Sequence, residues 1–425
     1  MDRSNFVPSS TCNQSATIEQ SFRDDAGRAL ATLAKHLGDI EAAEDALQDA
    51  YLVALERWPR DGVPQNRTAW ILATARNRAI DKLRRERRGR EKLELLATLD
   101  FVHNAEDATE MTAVPDDRLG LMFACCHPGL AVEARVALTL RTLGGLETAE
   151  IADAFLVPEA TMAQRLVRAK RKIREAAIPL DVPPAQRLPE RLADVCAVLY
   201  LIFNEGYLAS RGEQLVRHDL CEEAIRLGRI LMRLMPQEPE VMGLLALMLY
   251  AHARRAARTG PAGELIPLPE QERTLWNREL IAEANALLGR AVQHRLAGAY
   301  QLEAMIAAEH TNAQSVQRVH WDAIARIYGE LAVVAPSPVI DLNRAVAVSF
   351  ADGPESGLRI LDAIEPELLE SYHPAHVARA DFLSRLGRRG EAREAYVAAL
   401  ALTQNAAERV FIEGKVRDLD QSTLA

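Results

Sequence analysis

The sequence predicts an all-α protein in which two small cationic helical modules precede a long helical extension. Three observations carry that expectation. Ala, Leu, Arg and Glu are abundant while aromatic residues make up 5 % of the chain, a composition that favours helices. Apolar residues recur at spacings of three and four, and long alternating runs of β-branched residues bounded by turns are missing. Gly and Pro fall between the periodic stretches, at Gly38, Pro59 to Pro64, Gly144-Gly145 and Pro179 to Pro189, where helices stop and turns begin. A chain of 425 residues has room for roughly two to four domains, each with its own core.

Residues 1–16 are polar, lack a cationic start followed by an apolar core, and read as a disordered tail rather than a signal peptide. Residues 17–92 form the first module. A helix with Phe22, Ala26, Leu30, Leu33 and Leu37 on its inner face ends near Gly38, which can take a left-handed cap. The next helix, Ile40 to Trp58, buries Ala43, Leu47, Ala50, Tyr51, Ala54 and Leu55 and leaves Glu41, Glu44, Asp45, Gln48 and Asp49 wet. That acidic face is solvated surface or a seat for a cationic protein partner. A loop, Pro59 to Arg67, leads into the stretch that organises the chain, Pro64 to Lys92. Its last seventeen residues, Arg76 to Lys92, hold nine basic and three acidic side chains, about +6 in a protein of net charge −9. A local excess of that size points to a phosphate partner. Leu72, Ala75, Ala79, Ile80 and Leu83 give the helix a core face. Trp70, Thr74, Asn77 and Asp81 share another, and a ring followed by amides and cations suits stacking and hydrogen bonding to exposed bases. A solvated basic helix with one core tryptophan is the competing reading.

Residues 93–115, carrying Asp100, Glu106, Asp107 and Glu110 and closing on Pro115, read as a linker. Residues 116–178 form the second module. One helix stops at Gly144-Gly145, a short one carries Ile151 and Ala152, and Phe155 and Val157 turn the chain. Pro158 and Glu159 open a longer helix, proline being tolerated in a first turn. Two short helices with a tight turn, the second cationic, make a helix-turn-helix pattern. Met162, Leu166, Ala169 and Ile173 form its inner stripe; Thr161, Gln164, Arg165, Arg168 and Arg171 form the outer one. Amides and arginines there can read base edges in the major groove, and the later cations can hold phosphates.

Residues 179–425 form a helical extension. An internal echo links Asn343-Arg344-Ala345-Val346 with Ala378-Arg379-Ala380-Asp381 about 35 positions later, and residues 386–405 are similar to a tetratricopeptide repeat. Stacked helix pairs present a groove to peptides or proteins; a plain helical bundle is the alternative.

The five cysteines are irregularly spaced, and Cys125-Cys126-His127 lacks the partner pair a tetrahedral zinc site requires. Neither metal nor cofactor is expected. The apolar runs Val195–Phe203 and Val241–Ala251 are too short to span a bilayer, so a soluble, cytoplasmic protein without membrane contact is expected. No phosphate loop, GxSxG, HExxH or paired-cysteine motif occurs, and His310, His320 and Trp321 stand alone. Catalysis is therefore not expected.

Taken together, these modules resemble the extracytoplasmic-function group of bacterial RNA polymerase sigma factors, over about residues 18–178. AEDALQDAYLVALERW (residues 43–58) looks like the part that docks on core RNA polymerase. AWILATARNRAIDKLRRERR (69–88) looks like the −10 reading and melting part. LRTLGGLETAEIADAFLVPEATMAQRLVRAKRKIR (140–174) looks like the −35 reading helix-turn-helix. The resemblance implies double- and single-stranded promoter DNA as partner, and the clamp helices of the polymerase beta-prime subunit as the seat for Asp45, Gln48 and Asp49. It assigns the −10 element to Arg60, Asn66, Arg67, Trp70, Thr74, Asn77, Arg78, Asp81, Arg84, Arg85 and Arg88. It assigns the −35 element to Glu159, Thr161, Gln164, Arg165, Arg168, Arg171 and Lys172. Two features depart from the pattern: Glu147 stands where Ser or Thr usually caps the scaffold helix, and Val157-Pro158 opens the recognition helix. With FNEGY (203–207) and the repeat-like end, the chain is similar to a subgroup in which the extension regulates the factor in cis. Glu205 and Tyr207 are expected to be structural. A helix-turn-helix regulator acting on duplex DNA alone is the main alternative, and it would leave the 70–88 helix without a task. A pure scaffold would leave both basic clusters unexplained.

Overall fold

The computed structural model describes residues 26–421, apart from 63, 65, 86–116, 156, 208–217, 261–265, 296, 365–369, 371 and 404–405. Among the described residues every regular element is a helix, as the composition predicts. Two compact units divide the chain, Met1–Val198 and Leu199–Ala425. The predicted linker, 93–115, and Arg88 lie outside the described residues.

In the first unit, α1 covers residues 26–37 and Gly38 ends it with a φ of 63°, the left-handed cap expected there. Helix α2, Ile40–Asp61, begins on Asp39, whose carboxylate accepts from the backbone N–H groups of Glu41 and Ala42. Helix α3 is Arg67–Arg85, with Asn66 accepting from the Ala69 N–H. The predicted loop at Pro59 is shorter than expected. Helix α2 runs through the proline to Asp61, and Gly62 closes it at φ 88° by donating to the Trp58 carbonyl. Pro59 costs little so near the end, because few helical bonds remain for it to break.

Helices α4 (Arg118–Cys125), α5 (Val132–Thr142), α6 (Thr148–Ala154) and α7 (Glu159–Glu175) build the second module. Its stripe Met162, Leu166, Ala169 and Ile173 is buried as predicted. The unexpected Glu147 cap works: its N–H donates to the Glu150 carboxylate at 2.6 Å, and its own carboxylate pairs with Arg141 at 2.8 Å. Cys125 and Cys126 point inward, their thiols against the hydroxyls of Thr142 and Thr139. Burial pushes the Cys126 thiol up to about 12, so it stays protonated. Helix α8, Leu188–Tyr207, spans the boundary between the units. Its first turns belong to the first unit, where Arg191 donates to the Phe123 carbonyl and Asp194 pairs with Arg135. The second module's packing thus reaches past residue 178.

The second unit continues with α9 (His218–Leu234) and α10 (Pro239–Ala253). Nearly every residue of α10 is buried, the mark of a central helix. There follow α11 (Arg278–Gln293), α12 (Ala299–Asn312), α13 (Trp321–Val334), α14 (Pro338–Ala351) and α15 (Pro354–Asp362). Helices α16 (His373–Arg385), α17 (Arg389–Leu402) and α18 (Ala406–Gln421) close the chain. The echo found in the sequence is a repeated hairpin. Helices α14 and α15 turn at Gly353 (φ 97°) and α16 and α17 at Gly387 (φ 76°), 34 positions apart, the tetratricopeptide period. One core, including Leu342, Ala345, Leu358, Leu361, Ala378, Phe382 and Ala392, joins the two hairpins.

Candidate nucleic-acid interface

The recognition helix α7 turns its predicted outer stripe to solvent. Glu159, Thr161, Gln164, Arg168, Arg171 and Lys172 are exposed and Arg165 is half-buried. The buried stripe fixes this orientation, since side chains at i, i+4, i+7 and i+11 stand on one face. The exposed row therefore combines an amide, a hydroxyl and cations on a rigid helix seated in a helix-turn-helix. That chemistry can contact base edges and phosphates together.

Helix α3 differs from expectation in its first half. Ala69 to Arg76 are all buried, so more than one face of the helix is covered there. Trp70 is 8 % exposed, with its ring edge-on to Trp58 at 5.5 Å and 61°. Thr74 is buried beside it. Both were expected to meet bases; in this structure both are core residues, as the competing reading had it for the tryptophan. Arg76, one of the nine basic residues of the stretch, is buried too, and desolvation lowers its pKa. The outward surface of this region consists of Asn77, Arg78, Asp81 and Lys82, with Arg60 exposed at the end of α2 and Asn66 and Arg67 half-buried at the start of α3. Arg84 and Arg85 lie on the last turn of α3.

Helix α2 supplies a mixed face. Asp45, Gln48 and Asp49 are exposed as predicted, and Leu52 and Leu55 continue the same stripe, at 55 % and 72 % exposure. Leu55 was expected in the core. The buried arc of α2 is narrower than its apolar arc, filled mainly by alanines, and the two leucines fall outside it. Sequence periodicity could not separate them from core residues; their exposure marks an apolar strip beside acidic groups. Asp45 pairs with Lys82 of α3 at 2.8 Å.

Ion pairs link the two modules in this unit. Lys170 of α7 donates to Glu44 of α2, and the Arg174 guanidinium bonds Asp39 at 3.3 Å and Glu41 at 3.1 Å. The hydrogen bond to Asp39 raises the Arg174 pKa above its ordinary value. On the other side Asp117 accepts from Lys35 at 2.8 Å and Thr32 at 3.1 Å, which raises the Lys35 pKa. The wet acids of α2 and the distal cations of the recognition helix are therefore mutual partners, a pairing no local sequence signal could reveal.

In the second unit FNEGY closes helix α8. Phe203 stacks on Tyr207, and the Tyr207 ring and carbonyl are both engaged by Arg258. The two histidines that stood alone in the sequence have partners: His310 sits edge-on to Trp321 at 5.2 Å, and His320 bonds Glu309 at 3.0 Å. Among the described residues no group of three metal-ligating side chains occurs, and no helix is long and apolar enough to cross a membrane.

Comparison with known proteins finds matches in three stretches of the chain. Residues 22–89 match the family model described as Sigma-70 region 2, and residues 121–173 that of Sigma-70, region 4. Residues 191–292 match a family of unknown function, DUF6596. An uncharacterized protein of Rhizobium meliloti (strain 1021) is 43 % identical over 388 residues, 91 % of this chain and 92 % of its own length. The ECF RNA polymerase sigma factor SigC of Mycobacterium tuberculosis (strain CDC 1551 / Oshkosh) is 28 % identical over 153 residues, 35 % of this chain and 76 % of that protein. The probable ECF RNA polymerase sigma factor SigI of Mycobacterium tuberculosis (strain ATCC 25618 / H37Rv) is 29 % identical over 154 residues, 35 % of this chain and 52 % of its own.

Proposed function

We propose, from the premise that the chain belongs to the extracytoplasmic-function group of sigma-70 RNA polymerase sigma factors, a division of labour among its parts. As a sigma factor it binds core RNA polymerase and promoter DNA. In our reading the α2 stripe Asp45, Gln48, Asp49, Leu52 and Leu55 docks on the clamp helices of the beta-prime subunit. Its exposed leucines support that role, since an apolar strip bordered by acids suits a protein partner of opposite charge. Arg60, Asn66, Arg67, Asn77, Arg78, Asp81, Arg84, Arg85 and Arg88 attend the −10 element. Glu159, Thr161, Gln164, Arg165, Arg168, Arg171 and Lys172 read the −35 element. The observation that carries the reading is the cationic outer row of α7, held in place by the buried Met162–Ile173 stripe. A regulator of duplex DNA alone would need no basic α3 and no docking stripe.

The Lys170–Glu44 and Arg174–Asp39/Glu41 pairs give the free chain a closed state. Two cations that could hold −35 phosphates are occupied by acids of the docking helix. Ion pairs near the surface are screened by water and salt, and are weak enough for polymerase and DNA to open. Substituting Asp39→Asn, Glu41→Gln and Glu44→Gln together removes all three acids and keeps an amide oxygen at the α2 cap; it is expected to tighten −35 duplex binding by the free chain up to about tenfold at low salt. It should also steepen the salt dependence by about 0.9 per phosphate gained. Fluorescence anisotropy across a salt series reads both; unchanged affinity and slope would remove the closed state from the account.

The extension acts in cis on these events, its helical array taking a protein or peptide partner or another signal. Run-off transcription by core polymerase with the full chain, and with a chain ending at Val198 so that Arg191 and Asp194 are kept, tests this. We expect promoter output to differ between the two; identical output would remove the gating role.

A further inference from the structure

Three helices of the second unit end around one set of arginines. Arg258 donates to the carbonyl of Tyr207, the last residue of α8. Arg254 Nε donates to the Tyr250 carbonyl in the last turn of α10, at 3.3 Å, and its Nη2 to the Tyr207 hydroxyl at 3.4 Å. Arg273 donates to the carbonyls of His310 and Ala313, at 3.0 and 2.7 Å, at the end of α12. The Asn277 N–H ties the turn that carries Arg273 to the Ala253 carbonyl at 2.9 Å. The His310 ring lies by two of these cations; burial, then Arg254 and Arg273, hold its pKa down to about 4, so it is neutral.

Cations belong at helix C-termini, but here their number exceeds what the helix ends can balance. Each terminus carries about −0.5 charge, so three supply roughly −1.5 against three guanidinium charges, leaving about +1.5. Among the described residues no carboxylate is bonded to Arg254, Arg258 or Arg273. Of the acids in this region, Glu222 lies 3.8 Å from His252 and Glu272 accepts from Thr274. Arg278, which donates to the Arg273 carbonyl, adds to the positive field. Desolvation lowers the Arg258 pKa, so this surplus is carried at a real cost. Neutral donors stand alongside: exposed Asn285 and Asn312 bond each other at 2.9 and 3.1 Å, and the Tyr250 hydroxyl donates to Asn285.

We propose that this junction, Arg254 and Arg273 with Arg258 and Tyr207 behind them, binds the phosphate group of a small phosphorylated molecule. A phosphate monoester carries about −1.5 to −2 charge at pH 7 and offers three acceptor oxygens, which matches the surplus; a single carboxylate would leave part of it unbalanced. Planar guanidinium forks suit phosphate oxygens in pairs. This deepens the reading of the extension as the regulatory part, by naming the chemistry of its signal. It also gives FNEGY a purpose, since Tyr207 holds Arg254 by its hydroxyl and Arg258 by its ring.

Equilibrium dialysis of labelled inorganic phosphate against the full chain, at constant ionic strength, tests the site. The wild type is expected to show one saturable site, kept in Arg165→Gln with Arg168→Gln and weakened at least tenfold in Arg254→Gln with Arg273→Gln. Should the latter fail to fold, Arg254→Lys with Arg273→Lys keeps the charges and loses the forks, and severalfold weakening is expected. The proposal is overturned by non-saturable binding to the wild type, by wild-type affinity in the altered junction, or by loss of binding in the recognition-helix variant. Transcription is not read, so a failed site and a failed gating role are separate results.

Discussion

Replacing Trp70 with alanine is expected to cost the first module about 3–5 kcal/mol of stability, the usual penalty for emptying a tryptophan-sized space in a core. The ring is buried between α2 and α3, and its edge-on partner Trp58 adds roughly 0.5–1.5 kcal/mol beyond burial. Urea unfolding followed by far-UV circular dichroism measures the loss, and Trp70→Phe should recover much of it. Promoter opening would fall with the folded fraction. A variant of wild-type stability that binds duplex DNA normally yet fails to open it would return Trp70 to the role of a stacking surface.

Arg165→Ala with Arg168→Ala is expected to weaken −35 binding by about 1–3 kcal/mol for each base edge left without its arginine, and to relax the preference for the −35 sequence. Met162, Leu166, Ala169 and Ile173 lock the helix from behind, so this change strips the reading side chains without moving the scaffold. Lys172→Ala serves as contrast. A phosphate-holding cation should weaken all sequences alike and lower the salt slope by about one. Competition of specific against scrambled duplexes separates the two cases. If both changes weakened every sequence equally, α7 would be a phosphate clamp and not a reader.

Much of this protein is legible from helical periodicity and from the residues that stop helices. The helix-turn-helix stripe stands as predicted, and so does the hairpin repeat, because glycine at Gly353 and Gly387 turns the chain at positive φ. Periodicity fails where a helix is covered on more than one side. The first half of α3 buries Thr74 and Arg76 along with Trp70, since two faces there meet protein rather than one. It fails in the opposite sense on α2, where small alanines let the neighbours approach over a narrow arc and leave Leu52 and Leu55 outside. Pairings such as Lys170 with Glu44, and the meeting of three helix ends at Arg254, Arg258 and Arg273, arise only in the folded chain. The paired residues and the helix ends that meet are far apart in sequence, and each is ordinary in its own neighbourhood.

The central claim is that two cationic modules of one chain act on promoter DNA through a borrowed polymerase. Purified full-length chain mixed with core RNA polymerase and a genomic fragment library, with the 5′ ends of the RNA mapped, tests it most directly. The account predicts co-elution with core enzyme and starts clustered a fixed distance downstream of two shared sequence elements. Absence of co-elution, together with no RNA beyond that made by core enzyme alone, would contradict it.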